Sequence, residues 1–301
     1  MSFRVGWCAV RAFVIGNVAL DETISVAGLP APGASIHGRV LAQDLGGKGA
    51  NQAIVLGRAG VACCLGAAVG EDARGREIRS RLAAELVETR LIAVPGVASD
   101  FSVILMADAG ENTIITTNAA ALSLMAGTVD GLLDGAQAGD LLVMQGNLSA
   151  DTTLAALQKA VALGMQTAFN PSPLGDFPAA IWPLLDMVFV NEGEAAALGS
   201  ADALLVAGVG QVVLTFGAAG ARLISADASI DVPAMPAQVV DTTGAGDCFM
   251  AVALASAALR GAGLDARSLA HGAAAAAIAV SRAGTVGAFP SGTEIADILL
   301  R

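Results

Sequence analysis

Between residues 141 and 216 short apolar runs alternate with longer helical stretches, and no other feature of the chain restricts its fold so strongly. Strand-like Leu141–Gln145, Thr167–Asn170, Met187–Val190 and Val212–Phe216 are separated by helical patterns at Asp151–Leu163, Phe177–Leu185 and Glu192–Leu198. Runs that are apolar throughout suit strands buried on both faces, and a crossover helix between each pair makes the strands parallel. The pattern therefore predicts an α/β chain built on a parallel sheet. The first 120 residues are richer in strand signals: Ala12–Ile15, Val18–Val26, Val40–Leu45, Val61–Leu65, Phe101–Ala107 and Thr113–Thr117. The last two are joined by Asp108–Asn112 and read as a hairpin with a polar turn. Helices are expected over Ala50–Ala59 and Gly75–Leu86, and again at Gly246–Leu259, Ala266–Ser281 and after Ser291. No repeat, low-complexity linker or charge block divides the chain. The expectation is one α/β domain over residues 1–301, with a small β flap formed by segments near 17–45 and 97–120.

Composition removes several classes of function. With 301 residues, 55% of them hydrophobic and 14% charged, the chain can bury a large core and is not disordered. Sixteen basic residues against twenty-seven acidic ones, a net charge of −11, disfavour binding to nucleic acid or to anionic membrane surfaces. The mean hydropathy of +0.67 raises the membrane question. A spanning helix needs about 18 consecutive apolar residues. The most apolar runs, Phe249–Leu259 and Ala273–Val280, are shorter and mostly alanine, and are expected to be tightly packed interior helices. Met1–Leu20 carries Arg4 and Arg11, the second of which splits any signal-type apolar segment, so a soluble, cytoplasmic protein is expected. Cys8, Cys63, Cys64 and Cys248 have no metal-binding spacing, and the adjacent pair reads as buried free thiols. His37 and His271, the two histidines, exclude a His-rich metal centre and leave little room for a Ser–His–Asp apparatus, for which no G-x-S-x-G elbow exists either. The arginines at 74, 76, 79 and 81 read as a solvated helix face.

The sharpest motif is Asp241-Thr-Thr-Gly-Ala-Gly-Asp247, which runs directly into a helix. Small residues ahead of a helix expose backbone N–H groups in a concavity to which the helix dipole adds positive potential, a setting that suits a phosphoryl group in transfer. A carboxylate at Asp247, in the first helical turn, is placed to take a proton from an attacking hydroxyl. An ordinary glycine loop with Asp247 as a capping residue is the alternative. Gly46-Gly-Lys-Gly49 lacks the spacing of a Walker A loop, and no G-x-G-x-x-G follows a strand, so a phosphate-binding protein of this kind needs another cradle.

Taken in order, Gly16–Asp21, Leu29–Gly33, Gly46-Gly-Lys-Gly-Ala-Asn-Gln52, Asn170–Pro173, Asn191-Glu-Gly-Glu194, Thr215–Gly220, Asp241–Asp247 and His271–Val280 resemble the ribokinase (pfkB) family of carbohydrate kinases along nearly the whole chain. The resemblance implies a ribokinase-like three-layer α/β/α main domain with a small β-sheet lid. It implies ATP-dependent phosphorylation of a hydroxyl, expected to be primary, of a small sugar. Asp247 matches the catalytic base, and Gly244, Ala245 and Gly246 the amides of an anion hole. Asp21, Gly46, Gly47, Lys48 and Asn51 match sugar-contacting positions, and Asn147 is added to them as a probable neighbour of the sugar. Asn191 and Glu194 match the pair that organises Mg²⁺ and the nucleotide phosphates, largely through water, with simple helix capping as the plainer role for Asn191. Thr215, Gly217 and Gly220 match the nucleotide-binding loop, and His271 lies where the family places a residue near adenine, though a structural role suits it equally. Asp241 and Thr243, with carbonyls near Val280 and Ala283, match a monovalent cation site, implying K⁺. A homodimer formed through the lid is a further expectation by analogy.

The resemblance departs from the ribokinases at the sugar end. They carry Asn where this chain has Ala19 and Glu where it has Asn147, and the Gly-Ala-Asn after the second flap strand is shortened to Thr117-Asn-Ala-Ala120. A hydroxyl that loses its partner costs on the order of 1–3 kcal/mol, so sugar specificity is where a difference is expected. A nucleoside kinase of the same fold is an alternative, with Phe101 or Trp7 as a shelf for the base, and so is a catalytically silent sensor.

Overall fold

The computed structural model describes residues 10–107 and 112–301. Cys8, Trp7 and the turn expected after Ala107 lie outside those residues. The chain opens with β1 (Arg11–Ile15), β2 (Ala19–Val26), β3 (Gly38–Gly46), α1 (Lys48–Arg58), β4 (Ala62–Gly70), α2 (Ala73–Leu82) and β5 (Glu88–Val94). It continues through β6 (Phe101–Ala107), β7 (Asn112–Thr116), α3 (Ala119–Leu122), α4 (Val129–Leu132), β8 (Leu141–Gln145), α5 (Ala150–Ala162) and β9 (Gln166–Asn170). The remainder is β10 (Met187–Asn191), α6 (Glu192–Ala197), α7 (Ala201–Val206), β11 (Gln211–Thr215), β12 (Ala221–Ser225), β13 (Ser229–Val232), α8 (Ala245–Arg260), α9 (Ala266–Val280) and α10 (Gly292–Leu299).

A nine-stranded sheet runs in the order β13-β12-β11-β10-β9-β8-β1-β4-β5. Pairing is parallel from β5 to β11 and antiparallel through β12 and β13 at one edge. Successive residues of a strand point to opposite faces, which is how one sheet feeds two cores. Ala12, Val14, Leu141 and Val143 pack with residues of α1, α8, α9 and α10. Phe13, Ile15, Leu142 and Met144 pack with residues of α3 to α7 on the other face. The result is the expected three-layer α/β/α arrangement. The alanine-rich runs of α8 and α9 are interior helices pressed together: Ala251, Ala253, Ala255, Ala273, Ala275 and Ala279 are all buried. No helix among the described residues is long and apolar enough to cross a membrane.

A separate four-stranded sheet has the order β3-β2-β6-β7, with β2 and β6 parallel and the other two pairs antiparallel. Its strands come from both sides of the α1–β5 stretch, so the sheet forms only when the main sheet has brought them together.

Several local readings are corrected. The segment expected as a helix over Phe177–Leu185 is a 3-10 turn at Ala179–Leu184, because Pro178 and Pro183 remove backbone donors there. The helix expected to reach Leu86 stops at Leu82, and Glu88–Val94, polar at its start, forms edge strand β5. The β12–β13 hairpin and the short α3, α4 and α7 have periodicities too brief to stand out. The arginine face of α2 is not simply solvated. The Arg81 Nη1 donates to the Gln43 carbonyl at 2.8 Å, and the Arg74 guanidinium lies 4.1 Å from the Phe101 ring centre, so this helix is tied to the second sheet. Cys63 and Cys64 are buried free thiols, as expected for the adjacent pair, and Cys248 is a third.

Candidate active site

The parallel strands end in polar residues at one rim of the main sheet. Gln145 pairs in register with Asn170, and Asn191 with Thr215. Ligands of open α/β sheets bind outside such carboxyl ends. Two helices begin at the same rim: α1, directly after the last residues of β3, and α8, after the glycine-rich loop.

Asp247, in the first turn of α8, is 4% exposed and lies at the centre of this arrangement. Asn51 Nδ2 donates to its Oδ2 and Gln52 Nε2 to its Oδ1, both at 2.9 Å, and the Lys48 ammonium stands 3.8 Å from Oδ1. Gln145 Nε2 donates to Gln52 Oε1 at 2.7 Å. Gly244 caps α8 with φ +72°, a left-handed conformation that glycine adopts without penalty. Behind it the Ala245 N–H turns toward the Thr242 carbonyl at 3.3 Å, while the N–H groups of Gly246 and Asp247 have no partner among the described residues. The Gly244 N–H is likewise without a partner, so within the expected 244–246 set Gly244 and Gly246 are free and Ala245 is engaged, and the Asp247 N–H is an addition.

The other side of the site is built from the second sheet. Asp21 on β2 is buried, and a Cβ at residue 46 would overlap its carboxylate, so only glycine fits there. Thr285 Oγ1 donates to Asp21 Oδ2 at 3.2 Å. Burial raises the Asp21 carboxyl above the ordinary aspartate value, with hydroxyls of Ser102 and Thr285 pulling it down and the nearby Asp44 and Asp247 adding to the rise. Four buried oxygens in this region have no hydrogen-bond donor: Asp21 Oδ1, Asn51 Oδ1, Asn147 Oδ1 and Gln145 Oε1. Ala19, at the start of β2, is fully buried and offers no polar group. Thr117 and the backbone amides of Ala120 and Ala121 close instead on buried Asp100.

The opposite end of the rim is self-satisfied. Asn191 and Glu194 form a reciprocal capping box on α6: the Glu194 N–H donates to Asn191 Oδ1 at 2.8 Å, and the Asn191 N–H to Glu194 Oε2 at 3.0 Å. Glu194 Oε1 is left without a partner among the described residues, so the residue fits a metal held through water. Thr215 ends β11, followed by the turn Gly217–Ala219 and by Gly220, where any side chain would strike the Val232 carbonyl. His271 is buried between α8 and α9 with its Nδ1 2.8 Å from Ser256 Oγ, and burial lowers its pKa. That is a packing position. Asp241 accepts from the Thr243 N–H and hydroxyl and from the Gly284 N–H, and the Val280 carbonyl accepts from both Val240 and Asp241. The carbonyls of Thr243 and Ala283 accept no hydrogen bond among the described residues, and Asp241 Oδ2 accepts only one, so the loops at 241–243 and 280–284 keep oxygens of the kind a monovalent cation takes.

Asp21, Gly46, Gly47, Lys48, Asn51, Gly244 and Asp247 are therefore gathered around one buried carboxylate, Asn147 follows the end of β8 with an unpaired oxygen, and Asn191, Glu194, Thr215, Gly217 and Gly220 line the neighbouring strand ends. Gln52, Gln145 and Thr285 are additions. Gln52 stands inside a motif already singled out, whereas nothing local marks the other two.

A three-layer α/β sheet carrying a second sheet over its rim, with a buried carboxylate at a glycine-started helix, defines the architecture of the ribokinase-like kinases. The family model for pfkB carbohydrate kinases matches residues 11–291, and the chain belongs to that family. It is an ATP-dependent sugar kinase. It is 28% identical to ribokinase from Haemophilus influenzae over 299 residues, covering 95% of this chain and 97% of that one. It is 29% identical to mouse ribokinase over 262 residues, 80% of each chain. The crystal structure of ribokinase from Thermotoga maritima superposes with a TM-score of 0.88 at 25% identity, covering 97% of this chain and all of the other.

Proposed function

We propose that this kinase transfers the γ-phosphoryl group of ATP to a primary hydroxyl of ribose or a closely related small sugar, with Asp247 as general base. The observation that carries the reading is the setting of Asp247. It is a buried carboxylate with both oxygens held by amide donors, beside unpartnered N–H groups at the start of α8, facing buried acceptors that lack donors. A sugar is the ligand class that supplies many hydroxyl donors in a small volume. The sugar would lie between the second sheet, acting as a lid, and the main sheet. Asp21, Asn51 and Asn147 would accept from its hydroxyls, and Lys48 with the Gly46–Gly47 turn would close the other side.

The reacting hydroxyl gives its proton to Asp247 Oδ2, the oxygen that carries one donor where Oδ1 faces both Gln52 and Lys48. The sugar oxygen bonds to the γ-phosphorus as the bond to the β–γ bridging oxygen breaks, and ADP leaves. The free amides of residues 244, 246 and 247 would meet the negative charge on the phosphoryl oxygens. ATP would lie along Asn191, Thr215 and the Gly217–Gly220 turn. Magnesium, bound to the phosphates and to Glu194 through water, would supply charge neutralisation. Use of K⁺ is supported by the resemblance of the 241–243 loop and by the free carbonyls of Thr243 and Ala283. A cytoplasmic location is part of this proposal, since that compartment supplies ATP. Ile114 and Ile115 of β7 and Val40 and Leu41 of β3 are exposed on the second sheet and suit a homodimer formed through the lids, which light scattering would reveal.

ATP consumption by purified protein with Mg²⁺ and K⁺ against ribose, deoxyribose, other pentoses, ketohexoses, sugar acids and nucleosides tests the reading. Preference for ribose or a close analogue is expected. Turnover of nucleosides alone would overturn the sugar assignment, and silence across the panel with ATP still bound would turn the protein into a sensor. The nucleoside alternative is weakened by Phe101, whose face is already covered by Arg74.

A further inference from the structure

Asp247 is a short side chain whose terminal torsion is intrinsically soft. Two donors from successive residues of α1, one on each oxygen, clamp its plane. They are not equivalent. Asn51 stands at the sugar pocket and has an unpaired oxygen of its own, whereas Gln52 is 0% exposed and lies behind the carboxylate. Gln145, at the end of β8, is likewise 0% exposed and donates to Gln52.

The direction of every amide in this row follows from the carboxylate. An ionised carboxylate only accepts, so Gln52 must turn its NH₂ toward Asp247 and its oxygen away. That oxygen requires a donor, which fixes the NH₂ of Gln145. The cost falls at the far end, where Gln145 Oε1 is buried with no donor. Room for it exists only because residue 16 is glycine: a Cβ there would overlap Gln145 Oε1. A pair of apolar side chains would fill this space with no orphaned oxygen. The orphan is therefore the trace of a requirement elsewhere in the row, and the one group in the row that reacts is Asp247.

We propose that Gln52 and Gln145 are positioning residues for the phosphoryl transfer, an amide relay that starts at the unpaired Gln145 and holds the Asp247 carboxylate in the plane from which it takes the hydroxyl proton. Neither touches the sugar, so the relay acts on turnover and not on sugar affinity. The inference rests on Asp247 being the base.

Gln52→Met, Gln145→Met and the double variant test it, with D-ribose and ATP as substrates and Asp247→Asn as the control. Loss of alignment is expected to lower kcat about tenfold to a hundredfold with KM for the sugar changed less than about threefold. The double variant is expected to be no slower than Gln52→Met alone, since the outer residue acts only through the inner one. Gln145→Met exchanges one unpaired buried oxygen for another, so its melting temperature should stay near wild type while kcat falls. A second readout needs no substrate: the carboxyl ¹³C resonance of Asp247 in aspartate-labelled protein, identified by its loss in Asp247→Asn, should move in both single variants. Wild-type kcat in Gln52→Met, multiplying losses in the double variant, or an unmoved Asp247 resonance would each overturn the relay. Turnover surviving in Asp247→Asn would instead remove the base assignment on which it rests.

Discussion

The two ends of the crevice treat their polar groups in opposite ways. At the end proposed for the sugar, Asp21, Asn51 and Asn147 each keep a buried oxygen without a donor, and Asp21 is raised by burial. At the end proposed for the nucleotide, Asn191 and Glu194 cap one another, Asp241 accepts three hydrogen bonds, and His271 is bonded to Ser256. Buried unpaired acceptors destabilise the empty protein and are relieved by a ligand that brings donors, so they discriminate sharply between ligands. Satisfied or exposed groups bind more permissively. On the proposed placement of the two substrates, the comparison puts selectivity in the sugar half, where the chain also departs from the ribokinases at Ala19 and Asn147.

The largest effect expected is at the carboxylate between the two ends. Asp247→Asn removes the base and sets an amide NH₂ against the donors of Asn51 and Gln52. Turnover should fall by about 10²–10⁴-fold in a coupled ADP-release assay, while ATP binding measured by calorimetry persists. Near wild-type turnover would show that the two halves do not converge on this residue.

Next comes the sugar end. Asp21→Asn should lower kcat/KM for the sugar about tenfold or more, the loss of one buried charged partner. It should also raise the melting temperature at neutral pH. Because burial raises its carboxyl, the folded state holds a proton that the unfolded chain gives up. Stability is therefore lost as pH rises through the window above the ordinary value of 3.8. The stabilisation by Asn should be widest at neutral pH and shrink on acidification. A variant that is less stable than wild type at pH 7 would contradict the picture of a strained sugar end.

Glu194→Gln probes the satisfied end with a milder change. Glutamine keeps a capping box, so the melting temperature should move little, whereas removal of the charge should raise KM for MgATP several-fold. An unchanged KM would reduce Asn191 and Glu194 to a helix cap.

The smallest effect concerns the loop that joins the halves. Residues 284–287 reach Asp241 through Gly284, Asp21 through Thr285 and Asp44 through Gly287, and the Arg282–Glu294 pair anchors the loop. Hydrogen bonds from Arg282 pull Glu294 down from 4.5 to about 2. The stability this lends is present above pH 4.5 and is lost as pH falls toward 2. The pair is largely solvated, so Arg282→Met should cost no more than about 1 kcal/mol by urea unfolding at pH 7, and less at pH 3. A constant difference across that range would remove the ion pair as the anchor.

Much of this site was legible from short stretches of chain. Gly46–Gln52 and Asp241–Asp247 are contiguous, and each does its work locally, by opening a helix with glycines and placing a polar side chain in its first turn. Gln145 and Thr285 carried no such mark. Gln145 meets Gln52 across 93 residues, and Thr285 meets Asp21 across 264, contacts that exist only once the sheet is assembled. The cation loop shows the reverse. Its residues were recognisable, but which hydrogen bonds occupy their oxygens depends on how two distant loops meet.

Alternation of apolar runs and helices was enough by itself to determine a parallel α/β sheet, since strand burial and crossover handedness follow from local pattern and chirality. Local glycine chemistry likewise determined where phosphate-handling amides would lie. Tertiary structure alone decided that Asn51 and Gln52 clamp Asp247, that His271 packs between helices, and that the oxygens of Asp21, Asn51, Asn147 and Gln145 remain unpaired. Those outcomes depend on which buried polar groups face one another across the finished fold, and hydrogen-bond satisfaction is a property of that three-dimensional arrangement, which no stretch of sequence carries on its own.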